Sequence, residues 1–208
     1  MDEPLSNLDA KLRQEMRTEL KRLHTDTNST FVYVTHDQLE AMTLSTQVCL
    51  MNNGLLQQYA PPLEIYGGPA NMFVAEFVGN PTMNFIPAKA ERIDGAKVQL
   101  SILGKKAVFS AKAPVENLGG EAVLGVRPEF LPIQEGGAVE GHVYSTLPTG
   151  METTVKVECG STMLTSVVFG NVDYPVDMPI RLAINGDGLM LFDQKSGNAV
   201  AQGSVTFE

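Results

Sequence analysis

A chain of 208 residues, 43% hydrophobic and 19% charged, has the composition of an ordinary globular protein. Its formal net charge of -9 argues against nonspecific nucleic-acid binding, and it has no run of 18 apolar residues that would mark a membrane-spanning helix. The acidic opening Met1-Asp2-Glu3 is unlike the basic-then-apolar start of a secretory signal.

Residues 10–24, AKLRQEMRTELKRLH, place Leu12, Met16, Leu20 and Leu23 on one helical stripe with charged residues opposite. Ser6 and Asp9 read as a capping arrangement at its entry. After the polar turn TDTNST, FVYV is a short apolar run of β-formers, expected to be a buried parallel strand. In THDQLEAMTL, Thr35 is expected to cap a short helix that buries Leu39, Met42 and Leu44. QVCLM, NNG and LLQQY predict a hairpin, because Asn-Gly tolerates positive φ.

Pro61, Pro62, Pro69 and Pro81 mark a connecting segment near residues 60–85, with two short helical pieces and Phe73 and Phe77 at i, i+4 in the second. Beyond Phe85 the helix signal fades into short alternating segments between Gly, Asn, Asp and Pro turns, the pattern of an all-β barrel or sandwich. The α/β piece of about 58 residues is too small to bury a core alone, and is expected to be part of something larger. Cys49 and Cys159 form no CxxC and suit reduced structural thiols, while His24, His36 and His142 lack metal-ligand spacing.

The chemistry concentrates at two places. Asp2 and Glu3 precede a proline and an amphipathic helix, and His36 follows the predicted strand FVYV. Active-site groups of open α/β sheets sit at the carboxyl ends of strands. An acidic pair at one such end and a histidine at another suit phosphoryl transfer, where an aspartate holds magnesium, a carboxylate orients or deprotonates water, and a polar side chain senses the γ-phosphate.

DEPLSNLDAKLR followed by VTHDQLEAMTL resembles the ATP-binding subunits of ABC transporters. The resemblance implies that Asp2 and Glu3 end a Walker B strand, that SNLD is the D-loop, and that His36 is the switch histidine. It further implies that Asp2 meets the magnesium shell through water, Glu3 is the general base, Asp9 lies at the dimer interface across from the partner subunit's nucleotide site, and His36 contacts the γ-phosphate. PLEIYGGPANMFVAEFVGNPTMNF, LGVRPEFL and LMLFDQKSGNAV extend the likeness to the importer subclass that serves maltose, glycerol phosphate and related carbohydrates. Ala60 departs from it, standing where the family usually has a glycine.

The implied fold is an α/β fragment of an ABC ATPase core over 1–58, a connector over 59–85, and over 86–208 an all-β oligonucleotide-binding-like barrel of the TOBE type. The implied parent hydrolyses ATP with Mg and drives solute import. It works as a homodimer on the inner face of the cell membrane, with transmembrane permease subunits, a periplasmic or extracellular solute-binding protein, and a possible regulatory protein on the β domain. The phosphate-cradling GxxxxGK[ST] loop, the Q-loop and the LSGGQ-type signature do not occur in the 208 residues. The chain is therefore expected to be a C-terminal fragment that binds ATP weakly and is inactive alone. A rival reading is a barrel that binds a small oxyanion, for which Arg127 is the single basic candidate, or an oligonucleotide, which the negative charge and 7% aromatic content disfavour. A third is an oligomerisation domain, with Leu12, Met16 and Leu20 left partly uncovered.

Overall fold

The computed structural model describes residues 1–116, 118 and 120–208. The chain divides into two compact units, Met1–Gly67 and Gly68–Glu208.

In the first unit the helix α1 spans Ala10–Thr27. Asp9 caps it, its carboxylate accepting from the Leu12 amide at 3.0 Å, while Ser6 donates instead to the Glu3 carbonyl. Asn28 ends it in the left-handed region. The predicted stripe lies on one face, but no α1 residue is fully buried: Met16 and Leu20 are half-covered, and Leu12 and Leu23 are 40% and 48% exposed. Periodicity fixes which face a helix would bury, and the described residues bring too little apolar surface against it to cover the stripe.

FVYV does not form the expected buried strand. Val34 makes one isolated parallel bridge to Asp2, and Phe31, Val32 and Val34 are exposed, Val32 at 75%. A buried parallel strand needs hydrogen-bonded neighbours and cover on both faces. Within the described residues the stretch beginning at Met1 is the one segment that bonds to its backbone as a strand would.

The helix α2 spans Gln38–Leu44 and is capped by Asp37, not Thr35. The Asp37 carboxylate accepts from the amides of Leu39 and Glu40 at 2.8 and 3.1 Å, whereas the Thr35 hydroxyl oxygen accepts from the Asp37 amide. Leu39 is exposed, and the residue that α2 buries is Glu40. The hairpin of β1 (Val48–Asn52) and β2 (Leu55–Ala60) forms as its sequence predicts, with Asn53 and Gly54 at φ 48 and 78. The short helix α3, Pro62–Gly67, follows and buries Ile65.

The second unit begins with the helix α4, Met72–Phe77, on which Phe73 and Phe77 stack at 5.9 Å. Its remaining regular structure is almost all β, as expected. The strands β3 (Asn84–Asp94), β4 (Lys97–Ile102), β5 (Lys105–Ala111), β6 (Glu121–Val126), β11 (Leu189–Asp193) and β12 (Ala199–Phe207) close a barrel in the order β11-β12-β5-β4-β3-β6. Every pairing in it is antiparallel. Closure requires Gly203 on β12, because a Cβ there would overlap the Ser110 carbonyl of β5.

A four-stranded antiparallel sheet, β10-β7-β8-β9, is built from β7 (Val139–Pro148), β8 (Glu152–Cys159), β9 (Thr162–Phe169) and β10 (Pro179–Leu182). Period-two alternation sends Val98, Leu100 and Ile102 inward from β4, and Val155 and Val157 inward from β8. Barrel and sheet thus share one apolar core, in which Phe109 and Leu124 join Leu164 and Leu182. Burial in this core pushes the Cys159 thiol up to about 11, so it stays protonated and unreactive, whereas Cys49 is exposed.

Two buried polar side chains hold this unit together. Asn84, at the start of β3, donates to the carbonyls of Val126 on β6 and Thr165 on β9 at 3.1 and 2.9 Å, and accepts from the Thr165 amide at 2.6 Å. One side-chain amide therefore stands in for a missing strand neighbour and ties the barrel to β9. Arg127 is 2% exposed and donates through Nη1 to the carbonyls of Ala75 and Val78 at the end of α4. Its cation meets the carbonyl end of that helix, where positive charge is favourable.

Candidate functional site

The residues singled out at the start of the chain come together in the first unit. The Glu3 amide donates to the Val34 carbonyl at 2.8 Å and the Val34 amide to the Met1 carbonyl at 2.9 Å, flanking the Asp2–Val34 bridge. This ladder sets Glu3 one position past the bridge and His36 two past it, close enough for their side chains to meet. Glu3 adopts the left-handed conformation at φ 41, sparsely populated for a residue with a side chain. Its carboxylate meets the His36 ring, Oε1 to Nδ1, at 2.8 Å. Asp2 supplies the bridge itself, and Asp9 is engaged as the cap of α1.

Three residues that the sequence reading passed over bind these segments together. Arg13, in the first turn of α1, donates to the Leu8 carbonyl at 3.0 Å and lies 3.8 Å from the Asp37 carboxylate, linking SNLD to THD. Glu40, 3% exposed, accepts from the Tyr33 and Thr35 hydroxyls at 3.0 and 2.8 Å. Desolvation, and then the hydrogen bond and charge of that carboxylate, raise the Tyr33 phenol well above its ordinary range. Asp37 just before an apolar run with Glu40 three residues on was a readable cap signal. The burial of Glu40 left no trace in the pattern.

The hydrogen bond to Glu3 and then the charge of its carboxylate raise the His36 pKa above 6.5. A raised folded value means that the pair's contribution is present below the ordinary histidine pKa and fades as pH climbs through the raised one. An NMR titration of the His36 ring should show a midpoint above 6.5, and Glu3→Gln should bring it back toward that value. A midpoint unmoved by Glu3→Gln would break the assignment of the pair.

Among the described residues no three His, Cys, Asp or Glu side chains converge on a metal-sized position. Magnesium takes one or two protein carboxylates and completes its octahedron with water and phosphate. Asp2 offers one carboxylate, and that of Glu3 is engaged by His36. These residues do not make a magnesium–nucleotide site by themselves. The dyad can still hold a proton-accepting carboxylate next to a ring that favours its charged form.

Among the described residues the second unit's basic candidate and its groove do not favour an oxyanion. Arg127, the basic candidate, is buried against α4. The unit's groove of about 600 Å³ is lined by Glu135, Glu140 and Glu158 with His142, and Arg181 is already paired to Glu140 at 2.8 Å. Such a lining repels anions.

Comparison with known proteins fits both units. Residues 79–131 match the family described as the MalK OB fold domain. An sn-glycerol-3-phosphate import ATP-binding protein, UgpC, of a Ruegeria species is 38% identical over 208 residues, covering 97% of this chain and 55% of that protein. A maltose/maltodextrin import ATP-binding protein, MalK, of Yersinia pestis is 42% identical over 164 residues, covering 76% of this chain and 44% of that protein. An uncharacterized ABC transporter ATP-binding protein of Sinorhizobium fredii is 40% identical over 205 residues, covering 96% and 53%. Over nearly its whole length this chain is similar to the ATP-binding subunits of ABC transporters. It spans about half the length of the curated relatives it matches. The match to the MalK OB fold domain takes in β3 to β6 of the closed barrel, and no helix in the described residues is long and apolar enough to cross a membrane. A solved structure of the molybdate-binding protein ModG aligns with 52% of this chain and 94% of its own at a TM-score of 0.40 and 15% identity, a likeness too slight to bear on a ligand.

Proposed function

We propose that this chain is the part of an ATP-hydrolysing importer subunit that runs from the end of the Walker B strand to the regulatory β barrel, and that its parent moves sugars or polyol phosphates. The observation that carries the reading is the contact of Glu3 with His36 at 2.8 Å, which joins DEPLSNLD to VTHD, two segments separated by 33 positions. In this proposal residues 1–58 belong to the ATPase core, 59–85 connect, and 86–208 regulate. In the complete subunit Glu3 is the general base for the attacking water, His36 touches the γ-phosphate, Asp2 meets magnesium through water, and Asp9 faces the partner subunit's nucleotide site. Mg-ATP supplies the electrophilic phosphorus when bound. The 208 residues contain no phosphate-cradling loop to hold it.

The similarity to import subunits named for glycerol phosphate and maltodextrin supports the solute class. The partners that follow are a second copy, the permease subunits, a solute-binding protein outside the membrane and a regulatory protein on the barrel, with the subunit peripheral on the cytoplasmic side. A fusion of the N-terminal half of the Yersinia pestis relative to this chain tests the reading. It should hydrolyse ATP, and Glu3→Gln should lower kcat about 100-fold or more while a fluorescent ATP analogue still binds. A fusion that binds the analogue but hydrolyses equally fast with Glu3→Gln would contradict it.

A further inference from the structure

A second groove, of about 600 Å³, runs between α1 and α2 within the first unit. Its charge is at odds with the protein as a whole. The formal net charge is -9, yet the groove is lined by Arg17, Lys21 and Arg22 and by no carboxylate. All five lysines and arginines of Met1–Gly67 lie on α1, and these three share its groove-facing side. Arg22 is paired with Asp26 one turn on, at 3.6 Å and largely in solvent. Lys21 spends one N–H on the Thr43 carbonyl at the end of α2. Arg17 has no hydrogen bond or ion pair among the described residues. The α2 wall adds the apolar side chains of Leu39, more than half exposed, and Leu44.

Cations along one wall and leucines along the other match a ligand that is acidic on one stripe and apolar on the next. The α1 lining from Gln14 to Thr25 extends about 16 Å at the helical rise, several times the reach of one phosphate. Three cations in a concave groove of an acidic protein are too few for an anionic lipid surface, which is drawn to clusters of 4–8. We propose that the α1–α2 groove docks an acidic amphipathic helix of a partner protein, with carboxylates at i, i+4 meeting Arg17 and Lys21 and leucine-like side chains against Leu39 and Leu44. This assignment rests on groove shape and charge, independently of the hydrolytic reading above.

The test titrates the full chain into a fluorescein-labelled helical peptide of about 18 residues that carries Glu at i, i+4 beside Leu. Anisotropy should rise saturably at about 50 mM salt and weaken at about 300 mM. Arg17→Glu should reduce affinity about tenfold or more, whereas Lys11→Glu, on the same helix outside the groove, should stay within about twofold. Circular dichroism verifies that α1 persists, and Arg17→Gln with Lys21→Gln serves if the charge reversal unfolds it. Any of three outcomes would overturn the proposal: no binding of the Glu/Leu peptide, equal losses from Arg17→Glu and Lys11→Glu, or recruitment to phosphatidylglycerol vesicles in preference to the peptide.

Discussion

Asn84→Ala lowers the unfolding free energy of the second unit by about 3 kcal/mol, seen as a fall of about 6–12 °C in its calorimetric transition. The side chain makes three hydrogen bonds, and truncation strands the Thr165 amide and carbonyl in a partly buried seam, while the Val126 carbonyl keeps its β3–β6 ladder partner. Each unsatisfied buried group costs about 1–3 kcal/mol, and water entering the gap recovers part of that. Asn84→Asp is the sharper probe because it keeps the volume. The introduced carboxylate can still accept from the Thr165 amide, but its other oxygen faces two carbonyls about 3 Å away. Its folded pKa is therefore raised. The pH-dependent part of the cost of Asn84→Asp should be absent below the unfolded carboxyl value of about 4 and full above the raised one, on top of a constant loss because a neutral carboxyl donates once where the amide donates twice. Equal stability of Asn84→Asp and the unsubstituted protein at neutral pH would refute the clamp.

Arg127→Met has a comparable effect by a different route. The substitution keeps an unbranched apolar stem in the site but removes the donors that reach Ala75 and Val78. Hydrogen bonds from a charged donor contribute about 1.5–3 kcal/mol each, so a loss of about 3 kcal/mol is expected. The loss should appear first at α4, with faster hydrogen exchange of the Val78 amide, which is bonded to the Val74 carbonyl. Arg127→Lys should recover only part of it, because one ammonium lacks the planar fork of a guanidinium. Unchanged exchange at Val78 in Arg127→Met would show that α4 is held by its packing with Met83 and Phe192 instead.

Both clamps were half-visible in the sequence. GNPTMNF and LGVRPEFL stood out as family-like stretches, yet neither pattern says that Asn84 replaces a strand neighbour or that Arg127 turns inward to a helix end. Local chemistry was the most legible part. Asn53-Gly54 dictates its hairpin, Phe73 and Phe77 mark α4, and alternation along β4 and β8 places the core residues. Barrel closure was not legible, because the pairing of β11 with β6 and of β12 with β5 joins residues far apart in sequence and depends on Gly203 meeting Ser110.

In the first unit pattern and burial part at FVYV. Val32 lies in the run expected to be a buried strand, but an apolar run shows which surface can be covered, not what covers it, while Leu12 on the α1 stripe is partly uncovered as a fragment of a larger core implies. In the site, Asp2, Glu3 and His36 were found through their family-like motifs. Their convergence needed the Asp2–Val34 bridge, and the supporting Arg13–Asp37 and Glu40 contacts needed the three-dimensional arrangement.

In the proposed reading this chain carries the hydrolytic pair Glu3 and His36 without the groups that grip phosphate. Isothermal titration of the 208-residue chain with Mg-ATP tests it. No saturable heat is expected in the micromolar range. Stoichiometric micromolar binding would contradict it, because the nucleotide site would then be complete within these residues.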